Sequence, residues 1–187
     1  MSMMKRVFDV FVSLVSLVLF FPLFLVIAPM ILLDDFGPIF YRQVRVGLKG
    51  RTFQMYKFRS MRVDADKIGP YSTSPNDARI TKVGKFLRRS SLDELPQMLN
   101  VLLGDMSIVG PRPNVPQQQA LYEPCIWDKR NSVKPGITGL AQATKRSEAT
   151  AEERDRLDMD YVDNVGVFFD LKIMFMTVQQ VFRKGGN

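Results

Sequence analysis

The sequence predicts an α+β, mainly helical fold: an N-terminal re-entrant membrane helix, a small β-hairpin and amphipathic interfacial helices. Three observations predict it. Residues 10–33 form an uncharged apolar run of 24 residues. Two short stretches with strand-like alternation flank Gly47-Leu48-Lys49-Gly50. Much of the periodicity further on is helical, with apolar residues three and four apart. At 187 residues the chain suits one domain plus an anchor, divided at residues 1–33 and 34–187. It carries no internal repeat and no sign of a second domain.

As a helix the apolar run would measure roughly 36 Å, against a bilayer hydrocarbon core of roughly 30 Å. It is too long for a signal peptide, and no small-residue cleavage site follows it. Pro22 lies in its middle and Pro29 near its end. Proline donates no N–H and clashes with the carbonyl four residues back, so Pro22 predicts a membrane kink. Lys5 and Arg6 precede the run; Arg42, Arg45, Lys49 and Arg51 follow it. Both flanks therefore read as cytoplasmic. A helix that enters, bends at Pro22 and leaves by the same face satisfies both flanks, whereas a kinked span satisfies one.

Residues 38–46 and 52–58 read as the two strands of the hairpin, with Ile39, Tyr41, Phe53 and Met55 on a half-buried face. Residues 64–79 read as a polar loop, either a substrate lid or a plain surface loop. Residues 91–103 read as a helix with a Ser91-x-x-Glu94 capping box. Pro96 is tolerated in its first turn. Leu95, Met98, Leu99, Leu102 and Leu103 form its apolar stripe, and Gly104 suits its end. Residues 109–116 are broken backbone, and 134–140 are a Pro/Gly turn. Residues 149–163 read as a charged helix. Residues 167–182 read as an amphipathic one, with Phe168, Leu171, Phe175, Val178 and Phe182 at helical spacing. That stripe suits either a membrane interface or the domain core.

Composition narrows the chemistry. There is one cysteine, so no disulfide framework and no thiolate zinc site. There is no histidine, which removes Ser–His and Cys–His nucleophile pairs and imidazole acid–base work. Carboxylates, Lys/Arg, hydroxyls and a hard cation on oxygen ligands remain. The net charge of +7 fits phosphate-rich partners, or simply a solvated basic surface.

The candidate constellation is Asp93-Glu94. At a helix start the dipole favours ionised carboxylates. An ionised Asp93 beside Arg88 could attack an electrophilic phosphorus while the arginine neutralises the phosphoryl oxygens. Glu94 could share the cation or handle a proton. The plain alternatives are a capping role for Glu94 and dipole compensation for Asp93. Arg112, between Pro111 and Pro113, sits on stiff backbone suited to a fixed phosphate contact or to a rigid turn. Lys57 and Arg59 alternate with Phe58 and could line a phosphate site or face solvent. No Walker loop or GxGxxG is present, so arginines and turns would have to hold a nucleotide.

These residues also carry a resemblance. Tyr56-Lys57-Phe58-Arg59-Ser60-Met61, Ser91-Leu92-Asp93-Glu94-Leu95-Pro96-Gln97, the stretch from Leu103 through Gly110-Pro111-Arg112-Pro113, and Lys134-Pro135-Gly136-Ile137-Thr138-Gly139-Leu140 occur in this order. With Lys5-Arg6-Val7-Phe8-Asp9, they make the chain resemble the bacterial sugar transferase family, the monotopic phosphoglycosyl transferases. The resemblance implies transfer of a sugar-1-phosphate from a UDP-sugar to polyprenyl phosphate, such as undecaprenyl phosphate, with release of UMP. This is a first membrane step of glycoconjugate and polysaccharide assembly. It implies a covalent phosphosugar on Asp93, assisted by Glu94, with Mg²⁺ neutralising the diphosphate. Arg88, Lys57, Arg59, Pro111 and Arg112 would hold phosphate, substrate or the lipid head group. It further implies a cytosolic catalytic domain, 34–187, on the cytoplasmic face of the bacterial inner membrane, in contact with membrane lipids. Short family members break their re-entrant helix at a Ser-Pro pair. Here Phe21 precedes Pro22, so the proline is kept without the serine. The chain looks like the family's minimal catalytic unit. One rival reading makes Asp93 a metal ligand with direct attack by the lipid phosphate. Another is a non-catalytic, membrane-attached basic adaptor. Nucleic acid is not an expected partner, and a homodimer is left open.

Overall fold

A computed structural model describes residues 2–69, 77–145 and 149–184. The first element, α1, is a helix over Met3–Asp34 whose N-cap Ser2 accepts from Lys5 N. Helical backbone continues through Pro22 and Pro29. Only the two ends are buried: Lys5, Asp9 and Ser13 in the first turns, Ile27 and Ile31 in the last. No residue from 14 to 26 is buried.

Strands β1 (Phe40–Val46) and β2 (Thr52–Phe58) pair antiparallel, with Tyr41 opposite Lys57. This is the expected hairpin, and Ile39, Tyr41, Phe53 and Met55 lie on its inner face. Lys49 turns the corner with φ 55. The loop expected over 64–79 contains a short helix, α2 (Ala65–Ile68), and residues 70–76 lie outside the described part. Then come α3 (Lys82–Arg89) and α4 (Gln97–Leu103).

A second sheet was not foreseen. Strand β3 (Ser107–Val109) pairs parallel with β4 (Gly136–Thr138). Their prolines and glycines read as broken backbone because the contact is so short. A Cβ on Gly136 would lie 2.0 Å from Gly110 N, so two bare backbones must meet here. Helices α5 (Pro124–Arg130), α6 (Leu140–Thr144), α7 (Ala151–Asp163) and α8 (Val167–Lys184) complete the chain. The charged helix α7 begins with a formed capping box, Thr150 and Glu153.

The main core gathers Met55, Val101, Met106, Ile108, Val109, Tyr161 and Ile173. A smaller one joins the end of α1 to the hairpin and α3 through Ile27, Ile31, Phe58 and Leu87. The stripe expected in α4 is split, with Leu95 and Met98 packed against the cores, and that of α8, which suits either an interface or the core, is exposed. In α4 the buried residues are Gln97, Asn100 and Val101, while Leu99 and Leu103 are exposed. Asn100 explains the split: its Nδ2 donates to Gln54 O at 2.7 Å and its Oδ1 accepts from Tyr56 N at 2.9 Å. Those bonds turn the polar side of α4 inward and staple it to β2. In α8, Phe168, Leu171, Phe175 and Val178 are exposed, and Ile173 and Asp170 are buried instead. The side chain of Phe182 lies outside the described part.

A buried polar network explains Asp170. Lys5 Nζ donates to its carboxylate and, at 3.3 Å, to Val109 O. Tyr161 OH lies 2.7 Å from Val109 O and 2.9 Å from Asp170 Oδ1, so its one proton is shared between the two acceptors. Asp9 Oδ1 accepts from Ser107 Oγ and Ile108 N. Arg6 donates to the last carbonyls of α4, Val101 O at 2.6 Å and Leu102 O at 2.9 Å. The two N-terminal basic residues are thus bonded into the domain rather than left as bare flanking charges. Lys5→Met would strand Asp170 and Asp9 without their cation, at a cost of about 3–5 kcal/mol. Thermal unfolding followed by Trp127 fluorescence in detergent checks this, and an unchanged Tm would show that another group compensates the carboxylates.

Candidate active site

Three local devices aim the site's side chains. The first is α3. Thr81 Oγ1 accepts from Gly84 N at 2.9 Å, and Asp34 Oδ2, at the end of α1, accepts from Val83 N at 2.8 Å. A Cβ on Gly84 would lie 1.9 Å from Ser60 O, so only glycine lets α3 approach this closely. That approach lets Arg88 Nε donate to Ser60 Oγ at 2.9 Å.

The second device follows α3. Ser91 adopts a left-handed backbone, φ 58, and Leu92–Glu94 form a single 3-10 turn. The helix expected over 91–103 therefore starts only at Gln97, after Pro96. The Ser91–Glu94 capping box does not form, and Ser91 makes no capping bond. The reason is electrostatic. The Glu94 carboxylate is drawn to Lys57 Nζ at 2.7 Å and Arg112 Nη2 at 2.9 Å, not back to a backbone N–H.

The third device is the Gly110–Pro113 turn, held by its carbonyls. Val109 O accepts from Lys5 and Tyr161, and Pro111 O accepts from Gly136 N at 3.0 Å. Arg112 O accepts from Arg130 Nη2 at 2.6 Å and Pro113 O from Arg45 Nη1 at 2.9 Å. A turn tied at this many points holds Arg112 steadily.

The expected residues converge on one cavity of about 1130 Å³. Lys57, Arg59, Arg88, Asp93, Glu94 and Arg112 all line it; Pro111 does not, and sits buried beside β4. Among the described residues nine Lys/Arg and four Asp/Glu line the wall, so the cavity is cationic and suits a polyanion. Arg59 is 6% exposed, with its guanidinium against the Asp35 carbonyl and carboxylate. One of its nitrogens, Nη1, is buried without a partner among the described residues. Sequence reasoning missed Asn100, Arg45, Arg130 and Asp158. Only Asn100 carried a signal, as a polar residue interrupting an apolar helix.

Asp93 and Glu94 are adjacent yet differ electrostatically. Asp93 is 6% exposed, its Oδ2 is 4.0 Å from Lys57 Nζ, and among the described residues no hydrogen bond holds its carboxylate. Burial pushes that carboxyl above its usual range; Lys57, Arg88 and Arg112 pull it back, and the Glu94 charge adds to the push. Burial also works against the ion at Glu94, but Arg112 and Lys57 outweigh it and hold this carboxyl well below its usual range. Glu94 in turn pushes the Arg112 guanidinium upward. One carboxylate is a fixed anion inside a clamp; the other is unbonded, desolvated and turned to the cavity. Such divergence separates structural from chemical roles.

Among the described residues no three acidic, Cys or His side chains gather as a metal cluster. Mg²⁺ needs less: one or two carboxylates, with substrate phosphates and water completing the shell. The unbonded oxygens of Asp93 fit that donor set.

The sequence matches the family model described as bacterial sugar transferase over residues 1–184. The chain belongs to that family. It is 44% identical over 185 residues to a UDP-glucose:undecaprenyl-phosphate glucose-1-phosphate transferase of Klebsiella pneumoniae, covering 95% of this chain and 40% of that protein. It is 43% identical over 194 residues to the exopolysaccharide production protein PSS of Rhizobium leguminosarum bv. phaseoli, covering 97% of this chain and 96% of that protein. It is 42% identical to the sugar transferase EpsL of Bacillus subtilis, covering 98% and 89%. The chain thus spans two fifths of the Klebsiella protein and nearly all of the Rhizobium one.

Because Lys57 is the cation that most favours the Asp93 anion, Lys57→Met should drive the Asp93 titration further up. The carboxyl ¹³C resonance of Asp93 followed against pH checks this. A midpoint that stays put would show that Lys57 serves Glu94 alone.

Proposed function

We propose that the protein is a phosphoglycosyl transferase that moves a sugar-1-phosphate from a UDP-sugar to polyprenyl phosphate and releases UMP. The single observation that carries this is Asp93: a buried, unbonded carboxylate on a cationic cavity, beside a glutamate fixed by two cations. The relatives' names point to UDP-glucose as the first donor to test and undecaprenyl phosphate as the acceptor.

In the first step an Asp93 oxygen attacks the phosphorus next to the sugar. An acyl-phosphate bond forms, the diphosphate P–O bond breaks, and UMP leaves with the electron pair. In the second step an oxygen of the lipid phosphate attacks the same phosphorus and expels the Asp93 carboxylate, leaving a lipid-linked diphosphosugar. No proton need be moved when both phosphates are ionised, which suits a site without histidine. Glu94 keeps Lys57 and Arg112 in place at the phosphates, and Arg88 adds positive charge. Mg²⁺, held by Asp93 and the donor diphosphate, would supply further charge neutralisation. The raised Asp93 titration gives the rate an acid limb: activity falls as pH drops through a value above the ordinary aspartate range, because the nucleophile becomes protonated.

The same reading places α1 as a re-entrant membrane helix, with the domain on the cytoplasmic face. A spanning helix puts its ends on opposite faces, roughly 30 Å apart. Here Lys5 and Asp9 at one end, and Ile27 and Ile31 at the other, all pack on one domain. The unburied stretch between them is left for lipid, and the exposed apolar face of α8 suits the interface beside it. Cysteines placed on either side of α1 should both label from the cytoplasmic side; labelling from opposite sides would overturn the re-entrant topology.

The reaction is tested by incubating the protein with UDP-glucose, alone and with undecaprenyl phosphate. UMP release and an intact-mass increase of one hexose phosphate are expected, both absent in Asp93→Asn. Lipid-dependent UMP release without any adduct would instead support direct attack by the lipid phosphate, with Asp93 holding metal. Glu94→Gln should lower turnover by about 10²-fold or more, since it releases both cations from the phosphates. Normal turnover in that variant would remove Glu94 from the mechanism.

A further inference from the structure

Arg130 and Asp158 form a buried ion pair that the reaction above does not use. Arg130, on α5, is 3% exposed, and Asp158, on α7, is 2% exposed. Arg130 Nε and Nη2 each lie 2.9 Å from Asp158 Oδ2. Taking two charges out of water is costly, and an apolar pair of similar volume often serves stability as well. A buried pair of this kind therefore invites the question of what else it touches. Arg130 Nη2 also donates to Arg112 O at 2.6 Å.

That carbonyl matters because of how Arg112 is built. Pro111 and Pro113 fix their own φ, and Pro113 pushes Arg112 toward extended backbone. Neither proline fixes which way the Arg112 carbonyl points. The Arg112 side chain is 39% exposed, so little packing holds it, and its reach to Glu94 depends on where the backbone aims it. Neighbouring carbonyls are held too, Pro111 O by Gly136 N and Pro113 O by Arg45. Helix α7 serves the turn at both ends: Tyr161, three residues on from Asp158, donates to Val109 O at 2.7 Å.

We propose that Arg130, held by Asp158, is a positioning residue for Arg112: it fixes the Arg112 carbonyl so that the guanidinium meets Glu94 and faces the donor phosphates. The activity part of this inference rests on the transferase reading. Arginine is needed because its fork serves the carboxylate and the carbonyl at once, whereas a lysine ammonium lacks that geometry.

The test removes the device while sparing the fold. Arg130→Gln alone would strand Asp158 as a buried unpaired charge, so the main variant is R130M/D158L, which removes both charges. It should keep its Tm and lose about 10–100-fold in kcat, the scale of a small misplacement of a catalytic group. Arg112→Ala added to R130M/D158L should cost little more, because the two changes break one device. Arg130→Lys, which keeps the charge and loses the fork, should show the same losses and decides the matter if R130M/D158L does not fold. A third readout needs no turnover: the Nε–Hε resonance of Arg112, assigned by its loss in Arg112→Ala. It should move toward the position of mobile arginines in either variant. Full kcat, losses that multiply with Arg112→Ala, or an unmoved Arg112 resonance would overturn the proposal. If the unmodified protein releases no UMP, the transferase reading falls, while the Arg112 resonance still decides whether Arg130 positions it.

Discussion

The Glu94 carboxylate is the joint on which the site depends. One of its oxygens accepts from Lys57 on β2 and from Arg112 on the turn after β3. The carboxylate itself sits on the 3-10 turn between α3 and α4. Three stretches far apart in sequence thus meet at one anion, and none of their three charges is fully exposed. Such a junction costs desolvation, which the charge-assisted hydrogen bonds offset in a low-dielectric setting. It also keeps two cations at the cavity wall before any ligand arrives, so a phosphate meets charges already oriented.

The same joint governs its neighbour. Lys57 and Arg112 are committed to Glu94, so Asp93 feels their field without their hydrogen bonds. A carboxylate whose lone pairs are tied up in short bonds is a poor nucleophile, and one in water is shielded by its hydration shell. Asp93 has neither form of masking. The cost is a carboxyl pushed above its ordinary titration range by burial, moderated by cations at longer range. Two adjacent side chains of one chemical type are separated in role by a difference of little more than an ångström in their distance to Lys57.

Much of this was legible in the sequence, for identifiable reasons. The hairpin was readable because alternation and a glycine-bearing turn are local signals. The apolar run was readable because length and the absence of charge suffice. Asp93, Glu94, Arg88 and Arg112 were readable because adjacent carboxylates near arginines, and an arginine between prolines, are uncommon patterns. What failed was whatever depended on partners distant in sequence. The capping box at Ser91 was a sound local pattern, overridden by Lys57 from another strand. The stripe of α4 had the right period but is split, Leu95 and Met98 packing on the cores while Leu99 and Leu103 are exposed, because Asn100 is pulled inward by hydrogen bonds that periodicity does not register. The stripe of α8, read as suiting either an interface or the core, is exposed, with Asp170 bonded inward. The β3–β4 pair was hidden by its brevity. Nothing local distinguishes Arg130 from any arginine near a helix end, and its meaning lies wholly in Asp158 and the carbonyl of Arg112.

The site is also bound to the segment read as its membrane anchor, at both ends. Lys5, in the first turns of α1, donates to Val109 O, three residues before Arg112. Asp34, at its last residue, accepts from Val83 N in the first turn of the helix that carries Arg88. The two arginines that face the cavity from opposite sequence neighbourhoods are therefore each referenced to one end of the same helix. A shift of α1 within a bilayer would move both references, and with them the cations that frame Asp93. Under the transferase reading proposed above, such a connection would fix the height of these cations relative to the lipid surface. The charges at the ends of α1, Lys5 and Asp9 buried at one and Asp34 half-buried at the other, then have a reason beyond stability: apolar contacts alone could hold a helix to a domain, but directional bonds to the backbone of the cavity-lining turns also set its register.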